Sequence, residues 1–463
     1  MTDLVDMHQA AREIYSEALR SVDAGDAMRR AVRLEDPHLK IVKTTFNLKD
    51  RSGGIYSVAI GKAAWPMASR LTEILGEHLT AGVLTAPSTG NLRTDATAKE
   101  QALANASFYE RWHTFKGGHP LPNRQSLYAA RASFDLLRRA DDERALVIFL
   151  ISGGGSAMIE WPRDERTTLE DLRKMNDVLV SCGASIAEIN AVRRAASVVK
   201  GGGLSAHVAH CDQVSLIVSD TGAGQAAGVA SGPTFDSTGD APDAASVISS
   251  YQLEESLPES ILRAIKQPAR KRVSYSHDTR REHYVLLDNA CALETAAEAA
   301  HSRGFIVEIA RDIVEQPVAE GCSHLLSRLF DLRLRKGGEG NLVCLISGGE
   351  FACPVRGSGI GGRNAESALR WAIELDKLGE AQSSPSHTVI LSAGTDGVDG
   401  NSPAAGAIAD ETTVERARQL HLDARSFLDA SDAYSFFRTI NDAIITGPSG
   451  TNVRDLRIML ATS

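Results

Sequence analysis

Two cations and three carboxylates stand where short apolar runs of this chain break off into glycine. Lys62 follows Ser57-Val58-Ala59-Ile60-Gly61, and Arg363 follows Gly357-Ser358-Gly359-Ile360-Gly361-Gly362. Asp220 closes the run Val214 to Val218, and Asp396 and Asp399 lie in Gly394-Thr395-Asp396-Gly397-Val398-Asp399-Gly400. A fourth junction, Ser152-Gly153-Gly154-Gly155-Ser156, ends the run Leu146 to Ile151 and returns in shorter form as Ser347-Gly348-Gly349-Glu350. Glycine amides and hydroxyls at a strand end suit a phosphate or carboxylate, because no Cβ keeps the anion from the N–H groups. Lysine and arginine there neutralise such an anion, arginine by two parallel hydrogen bonds. Carboxylates at strand ends suit Mg²⁺, which takes one or two protein carboxylates and fills its sphere with nucleotide oxygens and water. The bland alternatives are a tight turn for Ser152 to Ser156, a solvated Lys62, and aspartates that serve turns or helix caps.

The elements that would position these residues are legible as a rhythm. Six apolar runs end abruptly in Gly, Ser, Thr or Asp: Ser57 to Lys62, Leu146 to Gly155, Val214 to Gly224, Leu342 to Glu350, Val389 to Gly400 and Ile444 to Gly450. Helical stripes lie between them, at Met67 to Leu75, Leu293 to Ala300, and Ala365, Ala368, Leu369, Ala372, Ile373. This alternation predicts a mostly parallel α/β sheet, with ligands at the carboxyl ends of the strands. Gly357 to Gly362 formally contains G-x-G-x-x-G. The run before it, Phe351 to Val355, contains Pro354 and is expected to form a hairpin with Leu342 to Ile346, and Asp396 lies too far on to be a ribose ligand, so a dinucleotide fold is disfavoured. No Walker sequence and no protein-kinase signature set is present.

At 463 residues the chain exceeds what one core fills, which predicts at least two domains. Between Asp236 and Arg281 the periodicity is weak, with Pro242, Pro258, Pro268 and the basic run Arg270-Lys271-Arg272, which reads as a solvated face. The expected division is 1–250, a connecting segment 251–281, and 282–463. A formal charge of −9 argues against nucleic acid as a partner. The longest apolar run, Ala145 to Ile151, is far too short for a bilayer span, and six scattered cysteines fit reduced thiols. A cytoplasmic protein with no membrane partner is expected, and a homo-oligomer is compatible with the sequence.

The motifs taken together resemble the glycerate 2-kinase family, the two-domain type with a MOFRL C-terminal domain. The likeness runs from about Ala11 to Leu460, through Ile60-Gly61-Lys62-Ala63-Ala64, Lys116-Gly117-Gly118-His119-Pro120-Leu121-Pro122, Ser152 to Ala157, Val199 to Leu204, Ala230 to Thr234, Gly361-Gly362-Arg363-Asn364, Gly394 to Gly400 and Thr446 to Val453. The resemblance implies a Rossmann-like N-terminal α/β domain, a second α/β domain, and a site in the cleft between them. It implies transfer of phosphate from ATP, with Mg²⁺, to the 2-hydroxyl of D-glycerate, a small hydroxy acid. Lys62 and Arg363 match the family's proposed catalytic pair. Ser152, Gly153, Gly154, Gly155, Ser156, Gly359, Gly361, Gly362, Asn364, His119 and Lys200 become expected contacts to substrate or nucleotide, and Asp396 and Asp220 expected metal ligands. One departure matters: where the family reads Ser-Asp-Val-x-Gly-Asp, this chain has Ser219-Asp220-Thr221-Gly222-Ala223-Gly224. The rival readings are an NAD(P)H-dependent hydroxypyruvate reductase and a non-catalytic nucleotide or metabolite sensor.

Overall fold

The computed structural model describes residues 4–87, 108–236, 242–268, 273–336, 341–379 and 387–462. The basic run at 270–272 lies outside them. The chain divides into two compact units, a central one over Ala24–Leu286 and a terminal one that joins Met1–Asp23 to Leu287–Ser463.

The central unit opens with a small antiparallel sheet, β1 (Val32–Glu35), β2 (His38–Ile41) and β3 (Thr44–Asn47), and is built on a six-stranded one. Its strands are β4 (Ile55–Ile60), β5 (Leu79–Ala86), β6 (Trp112–Lys116), β7 (Leu146–Ser152), β8 (Asp212–Val218) and β9 (Arg281–Leu287), in the order β6-β5-β4-β7-β8-β9. The pairings from β6 through β8 are all parallel. β7 is buried along its whole length, which is why Leu146 to Ile151 carries no polar alternation: helices cover both faces of a parallel sheet. Three of the surrounding helices, Arg124–Asp142, Leu169–Ser181 and Ile186–Ala196, begin with capping boxes set by Asn123/Ser126, Thr168/Asp171 and Ser185/Glu188. Parallel strands put the ends of β4, β5, β6, β7 and β8 on one edge. Lys62, Gly117 to His119, Ser152 to Ser156 and Asp220 therefore emerge together.

The terminal unit has a mixed sheet: β10 (Ile306–Ala310), β11 (Leu342–Gly349), β12 (Thr388–Gly394), β13 (Gly406–Asp410), β14 (Ala443–Ile444) and β15 (Asp455–Thr462), in the order β10-β11-β15-β12-β13-β14. The last strand, β15, runs antiparallel between β11 and β12. Its first residue, Asp455, pairs in register with Gly349 on one side and Gly394 on the other.

Three sequence expectations differ from this architecture. Phe351 to Val355 forms no hairpin with β11, because both edges of β11 are already taken, by β10 and β15. The segment 251–281 is no linker: Leu253, Leu257 and Ile261 share a core with Leu172, Met175, Leu179 and Val192 of the central unit. The helix Leu4–Ser21 belongs to the terminal unit, where Met7, Ala11, Ile14 and Ala18 pack with Leu391, Ala393 and Ile458 and the Tyr15 hydroxyl donates to Gly394 O at 2.8 Å.

Candidate active site

The central unit's half is organised around the turn after β7. Gly61 has φ +111, and a side chain there would collide with the carbonyl and hydroxyl of Ser152. Only glycine lets the β4 and β7 turns close on each other. Ser152 Oγ accepts from Ala63 N–H at 2.9 Å and donates to Ile60 O at 3.1 Å, while Lys62 N–H donates to Gly153 O at 3.0 Å. Ser152 is thus a buried tie between two loops, 1% exposed, and not a surface for ligand. Gly153 and Gly154 are different: their amides donate to no acceptor among the described residues. The bare face of Gly153 is filled by the Asp220 carboxylate. That of Gly154 is flanked by Lys62 Cγ and His119 Cε1, at 3.4 and 3.5 Å from where a Cβ would stand. One short turn therefore gathers a lysine, an imidazole and a carboxylate around open amides.

Beside it, Ser156 Oγ shares a hydrogen bond with Ser231 Oγ at 2.9 Å, and Ser231 donates to Asn190 Oδ1. The motifs at Val199 to Leu204 and Ala230 to Thr234 are zipped by Gly201 N–H to Ser231 O, Gly202 N–H to Gly232 O and Leu204 N–H to Pro233 O. Lys200, expected as a ligand contact, is 2% exposed and ion-paired with buried Glu160, which Ser197 also holds. Its charge fixes the loop under Ser231 and does not reach solvent. Position 224, where the family's second acid would stand, has φ +76 and open space around it. The backbone keeps a left-handed form that Asp tolerates, and only the carboxylate is gone.

In the terminal unit, the site is a network about Asp455, which is 1% exposed. Arg363 Nε and Nη2 bond Asp455 Oδ2 and Oδ1 at 2.6 and 3.1 Å, and Nη2 lies 2.9 Å from Glu350 Oε1. Nη1 has no partner among the described residues. Burial works against the Arg363 charge, but Asp455 and then Glu350 outweigh it, so its pKa is raised. A cavity of about 360 Å³ opens beside this guanidinium, lined by Cys353, Val355, Gly361, Gly362, Glu366 and Asn401 among others. A larger one of about 530 Å³ lies along the helix Arg363–Gly379 between Leu326, Phe330, Trp371 and Leu428, and Arg363 does not line it.

The glycine loop before Arg363 corrects an expectation. Three of its amides are already spent: Gly359 N–H on Ala430 O, Ile360 N–H on Asp432 Oδ1 and Gly361 N–H on Asn401 Oδ1. Asp399, 2% exposed, accepts from Asn364 N–H and Ala365 N–H at 3.0 and 2.8 Å and so occupies the helix N-terminus where a bound anion would sit. Gly359 and Gly362 are glycine because side chains there would strike Asp432 and Asp399. Asn364 is 1% exposed and bonded to Asp455, Asp399 and Ser392. It orients carboxylates and touches no open surface. Gly359, Gly361 and Asn364 are therefore scaffold for Arg363, while Gly362, whose amide donates to no acceptor among the described residues, lines the cavity beside it; the dinucleotide reading also lapses, since no strand leads into this loop.

Burial pushes the Asp399 carboxyl up to about 6, against the pull of the Ala365 and Asn364 N–H groups and with a further upward push from the Asp455 charge. A carboxyl whose folded pKa exceeds its unfolded one takes up a proton on folding, so its contribution to stability falls as pH rises from about 4 to about 6. Thermal melts across that window are expected to shift in favour of Asp399→Asn relative to wild type as pH rises. Parallel profiles would contradict the assignment. Asp396 is half-buried; its Oδ1 accepts from Val398 N–H at 3.2 Å and faces Gly394.

Two family descriptions match the chain: "Domain of unknown function (DUF4147)" over residues 10–266 and "MOFRL family" over residues 343–455. A glycerate kinase of Rattus norvegicus is 33% identical over 99% of this chain and 94% of its own length. A D-glycerate 2-kinase of Thermotoga maritima is 34% identical over 87% and 89%. The chain belongs to the glycerate kinase family. A solved structure of a glycerate kinase from Thermotoga maritima superposes with TM-score 0.77 at 30% identity, covering 98% of this chain and 99% of that one. Against the expectations for a glycerate kinase, the structure brings Lys62, His119, Asp220 and the Ser152–Ser156 turn together in one unit and surrounds Arg363 with Glu350 and Asp455 in the other. Asp455, Arg457 and Asn289 were missed from sequence. Arg457 had a signal: a charge in the middle of the apolar run Leu456 to Leu460. No helix among the described residues is long and apolar enough to cross a membrane.

Proposed function

We propose that this protein transfers the γ-phosphoryl group of ATP to the 2-hydroxyl of D-glycerate. The observation that carries the reading is the turn after β7, where open amides of Gly153 and Gly154 meet Lys62, His119 and Asp220. Full-length relatives named glycerate kinase and D-glycerate 2-kinase support the substrate and the position of transfer. Phosphoryl transfer asks a protein mainly for in-line positioning and for positive charge on the transferred oxygens. Lys62 supplies charge at the open amides, which hold phosphate or carboxylate oxygens. Arg363 supplies it through Nη1, the one guanidinium nitrogen its carboxylates leave over.

The donor set fits Mg²⁺. Asp220 is a hard oxygen ligand beside the anion-binding amides, and Asp396 is a carboxylate at a strand end of the terminal unit. That suits an ion that keeps several waters and shares nucleotide oxygens. When bound, it would neutralise charge on the β- and γ-phosphates. Asp220 is the preferred ligand, because its carboxylate lies against Gly153 beside the open amides. Gly153→Ala is therefore expected to displace Asp220, raise the Mg²⁺ concentration needed for half-maximal rate, and lower kcat/KM by roughly tenfold or more. An unchanged magnesium titration would remove Asp220 from the site. The reading itself is tested by ADP release with D-glycerate, ATP and Mg²⁺ beside NADH oxidation with hydroxypyruvate. ADP release that depends on glycerate is expected, and turnover only in the second vessel would replace the kinase with the reductase.

A further inference from the structure

We propose that Asp455 is a positioning residue for phosphoryl transfer, acting through Arg363; the inference rests on the kinase reading above. Arg363 is gripped side-on, with Nε and Nη2 both committed to one carboxylate at 2.6 and 3.1 Å. With Nε and Nη2 turned to Asp455 and Nη2 also 2.9 Å from Glu350 Oε1, the part of the guanidinium left for substrate is the Nη1 side. Asp455 is itself immobilised. It starts the central antiparallel strand β15, in register between Gly349 and Gly394, and Asn364 donates to its Oδ1 at 3.0 Å. Asn289 Nδ2 bonds its backbone carbonyl at 3.0 Å while Asn289 Oδ1 accepts from Gly349 N–H at 3.0 Å.

Behind it lies a second arginine. Arg457, 1% exposed, stacks its guanidinium on the Phe351 ring at 3.6 Å, donates to Gly348 O, and brings Nη2 within 3.6 Å of Asp455 Oδ2. Its Nε is buried without a partner. A sheet centre that accepts a buried arginine with an unsatisfied donor sacrifices stability there. What it gains is a carboxylate braced from the rear, whose two oxygens both face Arg363.

The test is a double-mutant cycle on kcat. Asp455→Asn is expected to lower kcat roughly 30-fold with KM for both substrates within about threefold, the signature of an interaction aligned in the transition state. In an Arg363→Met background the same change is expected to move kcat less than about twofold, since Asp455 acts only through Arg363. A second measurement needs no activity: the Arg363 Nε–H resonance of the wild-type protein, assigned by its loss in folded Arg363→Lys, should be protected from solvent exchange. Additive losses in the cycle, near-normal kcat in Asp455→Asn, or an Nε–H that exchanges like those of exposed arginines would each overturn the proposal. Absence of wild-type turnover would instead count against the kinase reading, while the Nε–H signal still decides the clamp.

Discussion

Replacing Arg363 with Met is expected to lower kcat by roughly 10²-fold or more and to lower the melting temperature as well. The first effect follows from the proposed role of Arg363 as a cation that meets developing charge on the transferred oxygens. The second follows from Asp455, which is left 1% exposed with its principal partner gone. Breaking a fully buried pair costs about 3 to 5 kcal/mol; Arg363 is 34% exposed, so about 2 to 3 kcal/mol is the better expectation. In a unit of this size that is a loss of roughly 5 to 10 °C. Arg363→Lys recovers little activity, because a single ammonium can satisfy Asp455 or an incoming phosphate but not both, and it lacks the edge that Asp455 grips. Kinetics and melting curves on the two variants check this. A normal kcat per folded molecule in Arg363→Met would make the arginine purely structural.

Replacing Lys62 with Met separates the two effects. Its kcat is expected to fall by roughly 10²-fold or more, while the melting temperature moves by less than about 2 °C, because the loop is held by backbone and Ser152 contacts that the side chain does not make. A large loss of stability with normal specific activity would show that Lys62 belongs to the scaffold and that the turn after β7 is not where phosphate is handled.

Much of the frame was legible because strand ends and glycines are local signals. Leu146 to Ser152 reads as a buried strand and is one, and the stripe Ala365 to Ile373 reads as the helix that carries Arg363. What was not legible is long-range pairing. Nothing local says that the last strand enters between β11 and β12, so Phe351 to Val355 reads as a hairpin partner for β11, whose two edges β10 and β15 occupy. The same holds for the helix Leu4–Ser21, whose apolar face fits any sheet and packs on the one nearly 400 residues away in sequence, as Tyr15 to Gly394 shows. The helices Ala244–Ser250 and Glu259–Lys266 are two turns each, too short to establish a period beside Pro242 and Pro258.

The site divides along the same line. Glycine-rich turns announce themselves, but the sequence does not say which amides remain open. Ser152–Ser156 and Gly357–Gly362 look alike as strings. In the first, Gly153 and Gly154 keep their N–H groups; in the second, Ala430, Asp432 and Asn401 take those of Gly359, Ile360 and Gly361. Asp455 escaped notice because one aspartate at the start of an apolar run looks like a turn residue until the register sets it between Gly349 and Gly394.

The central claim is a bond: oxygen 2 of glycerate to the γ-phosphorus of ATP. Phosphorus NMR of one incubation of the purified protein with D-glycerate, ATP and Mg²⁺ observes that bond directly. Loss of the γ-phosphate signal is expected, matched by growth of 2-phosphoglycerate, whose phosphorus couples to the single C2 proton. A product whose phosphorus couples to the two C3 protons would move the transfer to the other hydroxyl, and unchanged ATP with glycerate present would contradict the kinase assignment.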